Sequence, residues 1–173
     1  MKFENDVFIS YAHLDNIPIE QDGKGWITDF RKLLKTILAQ TMGYDIKVWR
    51  DEEELTGNTE FTPEIQSQFP LLKILVSVIT PRYIFSDLCR KELDEFYTAA
   101  SYNGGISIGN KSRIFKIVKT PVDTETINQL PDKFHRLFTE ILDYKFYIPD
   151  ANPGRFKELL MGDHKGRPFI IVF

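Results

Sequence analysis

Short apolar runs alternate along the chain with longer stretches in which apolar residues recur every three or four positions. The first run, residues 6–11 (DVFISY), is apolar on both faces, as a strand covered on both sides should be. After a polar loop over 12–25, Trp26, Phe30, Leu33, Leu34 and Ile37, flanked by Ile27 and Leu38, repeat with the period of a helix that has a wide buried face. Gly43 is placed to end it. Residues 45–49 predict a second strand, 50–58 (RDEEELTGN) a charged loop, and 62–69 a short helical segment. Residues 71–80 predict the third strand, stopped by Pro81.

A helix then starts at Ser86 as N-cap, with Cys89, Leu93, Phe96, Tyr97 and Ala100 on one face. A Gly-rich turn over 104–110 leads to a fourth strand at 113–118. A helix over 131–142 carries Phe134, Leu137, Phe138 and Ile141, and a fifth strand covers 144–148. Strands separated by helical crossovers pair in parallel with right-handed connections. The expected fold is therefore a flavodoxin-like, doubly wound α/β sandwich with a five-stranded parallel sheet. Beyond Pro149 the pattern weakens to one helix near 155–161 and a last apolar run at 168–173. We expect residues 1–150 to be one domain. Residues 151–173 are then its end or the start of a following module in a longer chain.

A length of 173 residues with 42% hydrophobic content suits one domain with one core. A net charge of -3 lacks the positive balance that phosphate-backbone binding draws on, so no nucleic-acid partner is expected. The longest apolar runs, near 71–79 and 169–173, fall well short of the roughly 20 residues that cross a bilayer, and the N-terminus is too polar for a signal peptide. A soluble, cytoplasmic protein without membrane contact is the expectation. One cysteine excludes an internal disulfide, and three scattered histidines (His13, His135, His164) offer no metal-ligand spacing.

In such a sheet, ligands sit at the carboxyl ends of the strands where the winding reverses, between the first and third strands. Two loops matter there: residues 11–16, and the connection after the third strand that opens the helix holding Glu92. Helical spacing places Phe85, Leu88 and Glu92 on one flank beside the stripe of Cys89, Leu93 and Phe96, so Glu92 should border the core without entering it. There it is either a partly desolvated carboxylate able to meet a developing positive charge or a solvated residue pairing with Arg90 or Lys91. His13 lies near the crevice and either touches a substrate phosphate or ribose or has no role. Trp49, ending a central strand, is read as core ahead of substrate platform. Cys89 on its apolar stripe reads as an inert core thiol.

Three segments occur in order on the right elements: residues 6–11, then Val48-Trp49-Arg50-Asp51 with Leu55 and Gly57, then residues 86–93 (SDLCRKEL). Over roughly 5–148 the chain resembles a bacterial-type Toll/interleukin-1 receptor (TIR) domain of the NAD-cleaving branch. The resemblance implies cleavage of the nicotinamide-ribose bond of NAD+, giving nicotinamide and ADP-ribose or cyclic ADP-ribose, with Glu92 catalytic and no cofactor. It also implies an effector of bacterial anti-phage defence activated by assembly. Self-association would involve the loop bounded by Arg50 and Asn58, and a sensor domain would be fused or separate. The implied substrate-binding set is Tyr11, His13, Trp49, Asp51, Phe85 and Leu88, with Glu54 near the same crevice. Leu88 stands where many members have tryptophan, and Tyr11 is followed by Ala12 and His13 in place of a basic pair. A non-catalytic TIR scaffold and an unrelated nucleotide-binding flavodoxin-like domain are the alternatives.

Overall fold

In the computed structural model, which describes residues 3–18, 23–49, 63–149 and 156–158, each apolar run in the middle of the sheet becomes a strand packed on both sides. Strands β1 (Asn5–Ser10), β2 (Val48–Trp49), β3 (Leu72–Ile79), β6 (Ile114–Val118) and β7 (Asp143–Lys145) form one parallel sheet in the order β2-β1-β3-β6-β7. This is the flavodoxin-like order, and its winding reverses between β1 and β3. Strands β4 (Ser107–Ile108) and β5 (Lys111–Ser112) form a small hairpin in the Gly-rich turn.

Alternation along the strands separates two cores. Val7 and Ile9 of β1 join Val76, Val78 and Ile117 beneath α1 (Trp26–Met42), whose Trp26, Ile27, Phe30 and Leu34 are buried. Phe8 joins Leu75, Ile79 and Ile114 on the opposite face, beneath α2 (Pro63–Gln68), α4 (Asp87–Tyr102) and α6 (Asp132–Thr139). Helix α1 ends at Gly43, whose φ of 75° is a left-handed C-cap, and the Gly43 amide reaches the Ala39 carbonyl. Gly25, just before α1, is required by contact: a Cβ there would lie 1.8 Å from the Asn16 carbonyl oxygen. Among the described residues no helix is long and apolar enough to cross a membrane.

Five expectations need correction. The second strand is two residues long and lies at the sheet edge, so Trp49 does not end a central strand. The Lys47 carbonyl accepts from both Asp6 and Val7 amides, and that two-to-one contact interrupts the ladder before Val48. The fifth strand is divided. β7 pairs with β6, Phe146 is buried against Trp26 and Phe30, and Tyr147–Pro149 (β8) leaves the sheet to pair antiparallel with Phe156–Glu158 (β9). The helix expected near 155–161 is thus a strand at 156–158, where it supplies the backbone partner that β8 needs. Its remaining residues, and the run 168–173, lie outside the described residues. The fourth strand begins at Ile114, because Arg113 is given to another task, and the helix expected to reach 142 stops at Thr139. A further short helix, α5 (Thr124–Asn128), is capped by the Asp123 carboxylate 2.7 Å from the Thr126 amide.

Arg113 is 3% exposed and fans onto four backbone carbonyls at the amino end of the sheet. Nε donates to Lys73 O at 2.9 Å, Nη1 to Asn103 O at 3.1 Å and Gly105 O at 2.8 Å, and Nη2 to Leu72 O at 2.8 Å. The guanidinium also sits 5.2 Å from the rings of Phe3 and Phe96. It joins β3 to the chain leaving α4. Arg113→Met would remove every donor while keeping the apolar stem, and is expected to lower stability by roughly 3 kcal/mol in urea unfolding. Arg113→Lys should recover only part of that loss, since one ammonium does not reproduce the planar fork.

Candidate functional site

Each of the three central strands carries one buried polar residue beneath the helices of this face, and the register lines them up. Ser10 of β1 stands opposite Ser77 of β3, and Ser77 opposite Lys116 of β6. Both serines are fully buried and Lys116 is nearly so. Buried polar groups of this kind need hydrogen-bond partners, and the helices above supply them.

The first partner is Tyr83, on the short helix α3 (Pro81–Phe85). Thr80 caps that helix by accepting from the Tyr83 amide at 3.1 Å, with Pro81 at the first position. The capping hydroxyl of Thr80 also donates to Asp15 Oδ2 at 2.5 Å, which ties the turn after β1 to the end of β3. The Tyr83 phenol lies 3.1 Å from Ser77 Oγ and 3.3 Å from Ser10 Oγ. Burial is the largest influence on it and, with Cys89 and Glu92 nearby, pushes its pKa well above the ordinary tyrosine value.

The second partner is Glu92 in α4. Ser86, the N-cap, accepts from the Cys89 amide at 3.3 Å and fixes where the helix starts. The inward positions are then Cys89, Glu92, Leu93, Phe96, Ala99 and Ala100. Ser10 Oγ donates to Glu92 Oε2 at 2.6 Å. Ser10 has a single hydroxyl hydrogen, so when the carboxylate takes it the phenolic hydrogen of Tyr83 is left for Ser77.

Glu92 does not border the core, as its helical spacing predicted; it is 0% exposed. The buried stripe of α4 is wide enough to include Ala99, seven residues on. Solvated pairing with Arg90 or Lys91 does not occur either. Arg90 Nε donates to the Ile84 carbonyl at 3.0 Å, Nη1 lies 4.0 Å from Asp87, and Lys91 is exposed. Nor do Phe85, Leu88 and Glu92 share a flank. Ser86 is extended (φ -80°, ψ 113°) and breaks the chain into two helices, leaving Phe85 at the end of α3, 69% exposed, and Leu88 half-buried in the first turn of α4.

The other candidates divide by strand alternation. Trp49 packs on Phe8 at 5.2 Å between ring centres, on the same face as Ser10. Tyr11 points to the opposite face with Val7 and Ile9, and His13 lies 5.6 Å from its ring in a 3-10 turn, His13–Asn16. The structure therefore does not bring Tyr11 together with Glu92. Asp51, Glu54 and the rest of the loop 50–58 lie outside the described residues. Ser10 and Ser77 were missed, although each is the lone hydroxyl in a run of otherwise apolar strand residues (VFIS, ILVSVI). No group of three or more His, Cys, Asp or Glu suited to a metal ion occurs among the described residues.

No family model matches the sequence, and a search of curated proteins finds no match. Among solved structures, the TIR domains of the activated Roq1 resistosome directly recognising the pathogen effector XopQ are similar. They share 18% identity over 79% of this chain and 69% of that one, with a TM-score of 0.45. The strand order stands on its own pairings.

Tyr83→Phe is expected to cost about 1–2 kcal/mol in chemical unfolding, because two buried hydroxyls lose their phenolic partner. Absorbance at 295 nm should show at least one tyrosine, Tyr83, that ionises only as the protein unfolds. Since the folded pKa is raised, the native state keeps a proton that the unfolded chain releases above about pH 10, so Tyr83 lowers stability as pH rises past that point.

Proposed function

We propose that this domain is a TIR-type NAD+ glycohydrolase in which Glu92 is the catalytic carboxylate. The observation that carries the reading is the position of Glu92. Its carboxylate takes the hydrogen of Ser10 at the carboxyl end of β1, beside β3, where a sheet of this order places its ligand crevice. The order of the three motif segments along the chain supports the same reading.

A lone carboxylate suits the reaction. Nicotinamide leaves the cationic glycoside as a neutral molecule, taking the bonding pair to its ring nitrogen, and needs no proton. The ribose becomes oxocarbenium-like, and a fixed anion beside it stabilises that charge. Attack by water at the anomeric carbon gives ADP-ribose and one proton; attack by the adenine ring nitrogen gives the cyclic product. Ser10 holds the carboxylate in one orientation, and Trp49, on the same face, is a platform for a flat ring.

Because Glu92 is 0% exposed, substrate reaches it only after the surrounding segments part. This fits an effector whose site opens on self-association, with the loop 50–58 at the contact and a sensor domain supplying the cue, in anti-phage defence. The same burial favours the second reading, a TIR scaffold in which Glu92 has a structural part as the acceptor for Ser10. Nicotinamide release from NAD+ by concentrated protein and by Glu92→Gln separates the two. The enzyme reading expects turnover in the parent and a loss of about a hundredfold or more in the variant, with an unchanged melting temperature. No release from parent protein shown to be self-associated would leave the scaffold, and equal release from both proteins would remove Glu92 from the reaction.

A further inference from the structure

Two strands along from Ser10, the polar row reaches a cavity that the Glu92 reading does not use. It measures about 350 Å³ and opens at the carboxyl ends of β3, β6 and β7, roofed by α5 and α6. Ile79, Val118, Val122, Ile127 and Phe138 give it apolar walls. Lys116, 4% exposed, reaches it from the middle of β6. Across two strand spacings of about 4.8 Å each, Lys116 is roughly 10 Å from Ser10, far enough for a separate ligand.

Lys116 is the unusual group. Its ammonium has three N–H donors, and among the described residues the one hydrogen-bond acceptor it meets is the Phe138 carbonyl, 3.1 Å away near the end of α6. The Phe138 ring lies 5.3 Å from Nζ. Asp143 stands opposite Lys116 in the β6–β7 register and also lines the cavity, but no ion pair closes between them. Burial pushes the lysine pKa down while Asp143 acts against that. A buried cation with two unused donors is costly unless an anion completes it.

The remaining charged and titratable groups set the anion. Lys145 of β7 and His135 of α6 also line the cavity, so two lysines and a histidine face one aspartate. That surplus of positive charge matches a phosphomonoester, and the apolar walls match a hydrocarbon or aromatic body attached to it. The volume is at the small end of ligand sites.

We propose that this cavity is a second binding site, for a small phosphomonoester with an apolar or aromatic body, in which Lys116 receives the phosphate. The proposal is independent of NAD+ cleavage and of Glu92.

Phenyl phosphate, titrated into the isotope-labelled chain and followed by amide chemical shifts, tests it, beside inorganic phosphate, benzoate and benzyl alcohol. Saturable shifts at Ile79, Val118 and Thr139 are expected, with phenyl phosphate binding about tenfold or more tighter than each of the other three. Lys116→Met should weaken phenyl phosphate about tenfold or more, and Lys145→Gln by a few-fold. If Lys116→Met does not fold, the parent titration and Lys145→Gln decide. Absence of saturable shifts up to about 10 mM, benzoate binding as well as phenyl phosphate, or affinity unchanged in both folded variants would overturn the proposal.

Discussion

A parallel sheet covered on both faces buries the polar side chains of its strands, and each then needs a hydrogen-bond partner from the elements packed above it. Here that demand falls on one row. Ser10, Ser77 and Lys116 stand side by side across β1, β3 and β6, and the elements above them are placed to answer them. Tyr83 on α3 serves both serines, Glu92 on α4 takes the hydrogen of Ser10, and the end of α6 offers Lys116 a carbonyl. The positions of three helices over one face are thus tied to three polar residues beneath them.

Helix α4 is held at both ends by this logic. Near its start, Ser86 and Glu92 fix rotation and depth. At its far end, Arg113 gathers the carbonyls of Asn103 and Gly105 together with those of Leu72 and Lys73, and lies against the Phe96 ring. Glu92 accordingly sits on a helix held at both ends, and a hydrogen bond from Thr80 to Asp15 joins the two loops beside it.

The layering, strand order and most helices were legible because periodicity and breakers encode them directly: the run in β3, Pro81 after it, Ser86 before α4 and Gly43 after α1. What was not legible depended on contacts distant in sequence. The spacing of residues 85, 88 and 92 described one continuous helix, and the extended Ser86 divided it. The same spacing put Glu92 at the edge of the core, and the wide buried face of α4 took it inside. For the site, Glu92 and Trp49 were found on one face of the sheet, but Tyr11, one residue beyond Ser10, was turned away by strand alternation. Ser10 and Ser77 left a faint mark, a lone serine in each of two apolar runs, but only the register showed that the marks align. Phe156–Glu158 became a strand because β8 needed a backbone partner, a requirement its own composition does not announce.

The break at Ser86 also bears on how the site can diversify. Tyr83, which anchors Ser10, rides on a five-residue helix, and Glu92, which takes the hydrogen of Ser10, rides on a sixteen-residue one. One extended residue joins them. Substitutions in the shorter piece can retune how the serine is held, and how readily the region loosens, without rotating the carboxylate. Substitutions along the longer piece can reshape its outer surface without disturbing the phenol. Phenol and carboxylate are written in adjoining stretches of chain divided at one residue, so drift in one need not drag the other with it.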